Sequence, residues 1–112
     1  MGKIARIVSL EFNSQKDKQR VLAEYRTRLS DLAPNLELLI AINTSEAEVL
    51  TIQVFPDIEA LEKSAVIGRE FFDQVASTVI RDRITYEGDV DFWFQQIKYF
   101  GADAIDVSGA GV

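Results

Sequence analysis

The chain has 112 residues, 47% hydrophobic and 27% charged, with a net charge of −6. A length of this order makes one domain around one core, and the acidic balance argues against nucleic acid as the main partner. No cysteine is present, which removes disulfides, thiolate metal sites and thiol catalysis, and no histidine, which removes the usual acid–base group near neutral pH and the commonest metal and haem ligand.

Ile4 to Phe12 alternates. Ile4, Arg6, Val8, Leu10 and Phe12 share one face, and Ala5, Ile7, Ser9 and Glu11 the other, which predicts a strand. Ser14 with Asp17 three residues on reads as a helix start. Val21, Leu22, Tyr25, Leu29 and Leu32 then recur at helical spacing, predicting one helix over 18–33 that Pro34 and Asn35 stop. The chain up to Arg28 carries seven basic residues against three acidic ones, read as a solvated first helix and an acidic remainder.

Leu36 to Asn43 and Glu48 to Phe55 alternate again, and the short polar link between them predicts an antiparallel hairpin. Pro56-Asp57 opens a second helix with Ile58, Leu61, Ala65, Gly68, Phe72, Val75 and Val79 along one seam. Gly68 either lets this helix approach the sheet closely or, being costly inside a helix, breaks it in two, the break being the favoured expectation. A last strand is predicted over 85–95, with Tyr86, Val90, Phe92 and Phe94 on one face. Residues 1–98 then form the domain, and the small and polar residues 99–112 a loose tail. No stretch is long and apolar enough to span a bilayer and no signal peptide is read, so a cytoplasmic location without membrane contact is expected.

The order β-α-β-β-α-β is the ferredoxin-like, α+β plan: a four-stranded antiparallel sheet with both helices on one face. The even-numbered face of every strand is expected to meet the helices. The odd-numbered face is then open to water, yet Ile7, Leu39, Val49, Phe55 and Trp93 would make it partly apolar. Such a patch points to pairing of two copies through their sheets, with Ile7, Leu39, Val49 and Trp93 at the interface.

At this point the chain resembles the dimeric α/β-barrel superfamily, typified by antibiotic-biosynthesis monooxygenase-like domains. The resemblance covers element order over residues 3–95 and is most specific in the run Val54-Phe55-Pro56-Asp57-Ile58-Glu59-Ala60-Leu61-Glu62. It implies a homodimer that holds a small organic ligand. Cofactor-free oxygenation and haem degradation in this superfamily lean on Trp, Asn and His in a pocket. Here Phe55 stands where many members carry Trp, and His is absent.

Arg6 is the one charged residue on the apolar face of its strand. Either it lines a pocket between sheet and helices with Tyr25, Phe55, Phe72 and Tyr86 and meets an anionic or carbonyl-bearing ligand, or it pairs with a carboxylate at the end of a helix and reaches water. Glu87, Asp89 and Asp91 read as an acidic edge strand, the alternative being a hard-cation site. No metal and no cofactor is expected, and no catalytic residue is singled out, since neither a nucleophile with its base nor a phosphate-binding glycine motif occurs. The alternative to a ligand-binding protein is a non-catalytic dimeric interaction module.

Overall fold

The computed structural model describes residues 2–96. The elements are β1 (Ile4–Phe12), α1 (Gln15–Thr27), α2 (Leu29–Leu32), β2 (Leu38–Asn43), β3 (Glu48–Phe55), α3 (Ile58–Val75) and β4 (Ile80–Asp89). The sheet runs β2-β3-β1-β4, antiparallel at each pairing, which is the ferredoxin-like α+β arrangement.

Both longer helices begin where side-chain caps allow. Ser14 Oγ accepts from the Asp17 amide at 3.1 Å, and the Asp57 carboxylate accepts from the Ala60 amide at 2.8 Å. The first helical stretch is not continuous over 18–33. Thr27 Oγ donates to the Glu24 carbonyl, and the Arg28 amide is shared between the Glu24 and Tyr25 carbonyls, so α1 ends there and the short α2 follows. Helix α3, by contrast, runs through Gly68 without a break. The cost of glycine is offset by the packing of Ala60, Leu61, Ser64 and Phe71, all buried.

The register corrects the assignment of faces. In β1, Ile4, Arg6, Val8 and Leu10 stand opposite Phe55, Gln53, Thr51 and Val49 of β3. Directly opposed residues share a face, so the helix side of β3 is odd-numbered. The same holds for β2, where Asn43 opposes Val49, and for β4, where Glu87 opposes Arg6. Leu39 and Val49 therefore lie on the helix side, and Val49 is fully buried in the core with Val8, Leu10, Phe12, Val21 and Phe71. Only β1 has the expected parity. The open face instead carries Ile7, Leu38, Ile40, Ile42, Leu50, Ile52, Ile84 and Tyr86. Alternation separates the two faces of β1, β2 and β3 as expected, but the more apolar face of β2 and β3 is the one the helices leave bare.

The last strand is also displaced. β4 begins at Ile80 and ends at Asp89, after which residues 90–96 have no regular structure. Pairing with β1 sets this: Leu10 opposes Arg83 and Ile4 opposes Asp89, and a final bond runs from the Val90 amide to the Lys3 carbonyl at 2.9 Å. The charged run Arg81-Asp82-Arg83 hides the strand's first half from a hydrophobic pattern. Trp93 follows the strand rather than lying in it, and Lys98 and the tail over 99–112 lie outside the described residues.

Lys18 departs from the solvated helix expected of this segment. It is buried, and its ammonium donates to the Ser45 and Glu48 carbonyls at 2.8 and 2.9 Å, tying α1 to the link between β2 and β3. Burial pushes its pKa below the ordinary lysine value, partly opposed by the Glu48 carboxylate. Lys18→Met keeps the aliphatic stem and removes the donors. Each carbonyl then loses its charged donor and keeps only a backbone one, the Glu48 amide at 3.4 Å for Ser45 and the Thr44 amide at 3.3 Å for Glu48, and stability is expected to fall by about 1–3 kcal/mol, read as a lower urea midpoint at unchanged slope; an unchanged midpoint would show that the clamp contributes nothing. At Gly68 a Cβ would meet no atom within 4 Å. Gly68→Ala is expected to raise stability by about 1 kcal/mol in the same assay.

Candidate functional site

A small cavity of about 50 Å³ lies between the sheet and the helices. Its floor is the helix-side face of the two central strands, through Arg6, Val8 and Leu10 of β1 and Thr51 and Gln53 of β3. Leu22 and Tyr25 close it from α1, and Ser64, Gly68, Arg69 and Phe72 from α3. Arg83 of β4 completes the wall. The volume is sufficient for a few water-sized groups, and its lining is mainly apolar, with polar groups at a few points as binding sites have them.

Three of the five expected pocket residues meet here: Arg6, Tyr25 and Phe72. The other two do not. Phe55 is fully buried in a separate cluster with Ala60 and Leu61, against Ile4 and Leu36. Tyr86 stands on the open face, opposite Ile7, and is 66% exposed. The parity of β4 explains this, because its even residues from Asp82 to Gly88 point away from the helices, only Ile80 beyond the register shift packing on the core.

Arg6 is the central polar group. Its Nε is 3.7 Å from the Glu87 carboxylate across the β1–β4 pairing, an ion pair too long for a hydrogen bond. That nitrogen is buried and has no hydrogen-bond partner among the described residues, and the same is true of the Ser64 hydroxyl. Burial pushes the Arg6 pKa below the ordinary arginine value, and the Arg83 guanidinium adds to this, while Glu87 opposes it and Arg69 acts in the same sense as Arg83. The carboxylate that Arg6 meets therefore lies on β4 and not at the end of a helix as one alternative expected, and it leaves the donor unsatisfied.

Aromatic contacts fix the helix side. The Tyr25 ring stacks on Phe72 at 6.0 Å between centroids and leans on Phe71 at 5.9 Å, and the Arg28 guanidinium lies 5.0 Å over Phe71. Burial pushes the Tyr25 phenol above its ordinary pKa, slightly relieved by Arg6. Tyr25 is therefore a protonated donor across the neutral range, and the arginines are fixed cations. Together they can orient a polar group and stabilise negative charge on it.

Arg69 and Arg83 carried no signal in the sequence. The first is an exposed helix residue by pattern, and the second is assigned to this face only by the register of β4. Among the described residues no group of three acidic residues is placed to hold a metal ion; Glu87 is engaged with Arg6 instead. No helix of the described residues is long and apolar enough to cross a membrane.

The raised Tyr25 pKa makes a prediction with a definite sign. An unfolded tyrosine loses its proton near pH 10, whereas the folded phenol keeps it to higher pH. Above that value the unfolded chain binds fewer protons, so stability falls as pH rises. Tyr25→Phe removes this contribution. Between about pH 9 and about pH 11 the variant is expected to lose less stability than the parent chain, measured by urea unfolding at each pH; equal losses would mean that the phenol is freely solvated.

No protein-family model matches the chain, and no curated protein matches it. Solved structures do. A protein of unknown function from Nitrosomonas europaea superposes with a TM-score of 0.70 at 14% identity, over 88% of this chain and 98% of the other. A dimeric ferredoxin-like protein from an uncultured marine organism gives 0.68 at 13% identity, over 87% and 95%. SnoaB, a cofactor-independent oxygenase from Streptomyces nogalater, gives 0.68 at 8% identity, over 86% and 100%. Putative antibiotic biosynthesis monooxygenases from Caulobacter crescentus and Bacteriodes thetaiotaomicron superpose with TM-scores of 0.62 and 0.66 at 11% identity, so with β2-β3-β1-β4 order the chain has the fold of the antibiotic-biosynthesis monooxygenase-like proteins.

Proposed function

We propose that this chain is a homodimeric protein that binds a small organic ligand in the cavity between its sheet and helices. The observation that carries the reading is the open face of the sheet. Ile40 is 44% exposed, Ile42 42% and Ile84 47%, beside Tyr86, and Ile7, Leu50 and Ile52 continue the patch across the central strands. Exposed apolar faces of this extent mark contact surfaces, and a flat sheet covered on one side by helices leaves a second sheet as the simplest cover. Phe92, Trp93 and Phe94 add exposed aromatic surface just beyond β4. The similar marine protein is described as dimeric, and SnoaB as an oxygenase that needs no cofactor.

The interface in this reading comprises Ile7, Ile40, Ile42, Ile84 and Tyr86, with Trp93 at its margin. The ligand contacts Arg6, Tyr25 and Phe72. Arginines and a protonated phenol suit a ligand with a carbonyl or anionic oxygen, which they would hold and polarise. The residues lining the cavity include no carboxylate, lysine or histidine to act as a base, so binding and polarisation are the chemistry these side chains offer.

Light scattering after size exclusion tests the assembly. The parent chain at tens of micromolar is expected at about twice 12.6 kDa. Ile40→Asp with Ile84→Asp places two charges on the open face and should give a folded monomer, with unchanged circular dichroism. A parent chain that elutes as a clean monomer would sink the sheet-paired reading.

A further inference from the structure

We propose that the cavity is a site for a small carboxylate, with the carboxylate held by Arg6, Arg69 and Arg83 and a short apolar body against Val8, Leu22 and Phe72. This rests on the reading of the cavity as a ligand site and adds the class of ligand.

Four observations converge on it. Three guanidinium-bearing residues line one cavity of about 50 Å³, and among its lining residues none is acidic. Glu87 reaches Arg6 from β4 at 3.7 Å and offsets one of the three charges, so an excess of positive charge remains around a mainly apolar space. Two buried polar groups of lining residues, Arg6 Nε on the sheet side and Ser64 Oγ on the α3 side, lack hydrogen-bond partners among the described residues. Ser64 is only 7% exposed, and a buried donor left unmade costs free energy that a ligand oxygen would recover. The two orphan donors match the two oxygens of a carboxylate. Finally, Gly68 interrupts the helical preference of α3 where the cavity lies, and a Cβ there would enter open space.

The size of the space sets the size of the ligand. Water-sized groups each take about 10–15 Å³, so the enclosed part admits a carboxylate and one or two carbons. Arg69 and Arg83 are exposed and form the rim, while Arg6 is the deeper group, its side chain 12% exposed. A carboxylate entering past the rim would meet Arg83 and Arg69 before Arg6.

The experiment titrates the full chain with propionate and with its neutral isostere propionamide, followed by amide chemical shifts. Propionate is expected to bind at least tenfold more tightly than propionamide and to shift the resonances of Arg6, Ser64 and Gly68. Arg83→Gln should weaken propionate by about tenfold and leave propionamide unchanged. Arg81→Gln removes the same charge from the same strand outside the cavity and should change neither. Gly68→Leu fills the space and should abolish both. Equal binding of the two probes overturns the carboxylate assignment and leaves the ligand site standing. Binding of neither overturns both. Equal weakening by Arg81→Gln and Arg83→Gln, or propionate binding that survives Gly68→Leu, overturns the assignment by showing that the anion binds elsewhere.

Discussion

Strand β1 lies between β3 and β4, and its register fixes what every other element faces. From Ile4 to Leu10 its even residues stand opposite odd residues on both neighbours, and past the register shift after Glu11, Phe12 stands opposite Ile80. A slip of one residue would turn Val8, Leu10 and Phe12 outward and bring Ile7 and Ser9 under the helices. The slip is opposed by three buried side chains at alternate positions, which is the strongest specification in the sheet. Once β1 is fixed, Val49 and Thr51 must enter the core, and Ile40, Ile52 and Ile84 must stay outside it.

That arrangement explains both where the sequence was readable and where it was not. Strand β1, the hairpin and both capped helix starts follow from local chemistry: alternation, a short polar link, and a Ser or Asp whose oxygen meets an amide three residues on. Parity between strands is not local. It depends on how many residues separate pairing positions, and for β2 and β3 both faces are apolar enough to serve as core. Choosing the more hydrophobic face for the helices is reasonable for an isolated domain, and it fails here because Leu38, Ile40, Ile42, Leu50 and Ile52 lie on the other side. The failure is informative, since an exposed face richer in isoleucine than the covered one is poorly suited to water.

The candidate site shows the same division. Arg6 was legible because a charge on an otherwise apolar strand face demands an explanation. Tyr25 and Phe72 were legible from helical spacing. Tyr86 followed β4 to the wrong face, and Phe55 joined the separate cluster around Leu61. Arg69 and Arg83 had no sequence signal, being ordinary surface residues by type. Lys18 was hidden for a related reason: a lysine near a helix start reads as solvated, and only the path of the link between β2 and β3 brings the Ser45 and Glu48 carbonyls to its ammonium.

The two surfaces meet on one strand. β4 is an edge strand, exposed at every position from Arg81 to Asp89, and β1 is its one neighbour in the sheet. Its odd residues Arg83 and Glu87 serve the cavity, and its even residues Ile84 and Tyr86 serve the open face. The mobility of such a strand is set by what packs against it. A second sheet lying on Ile84 and Tyr86 would brace β4 from behind and so hold Arg83 and Glu87 in place at the rim. Without that support the rim groups sit on a strand held by one ladder of hydrogen bonds. The alternation of one strand thus links assembly to the geometry of the cavity without any residue belonging to both.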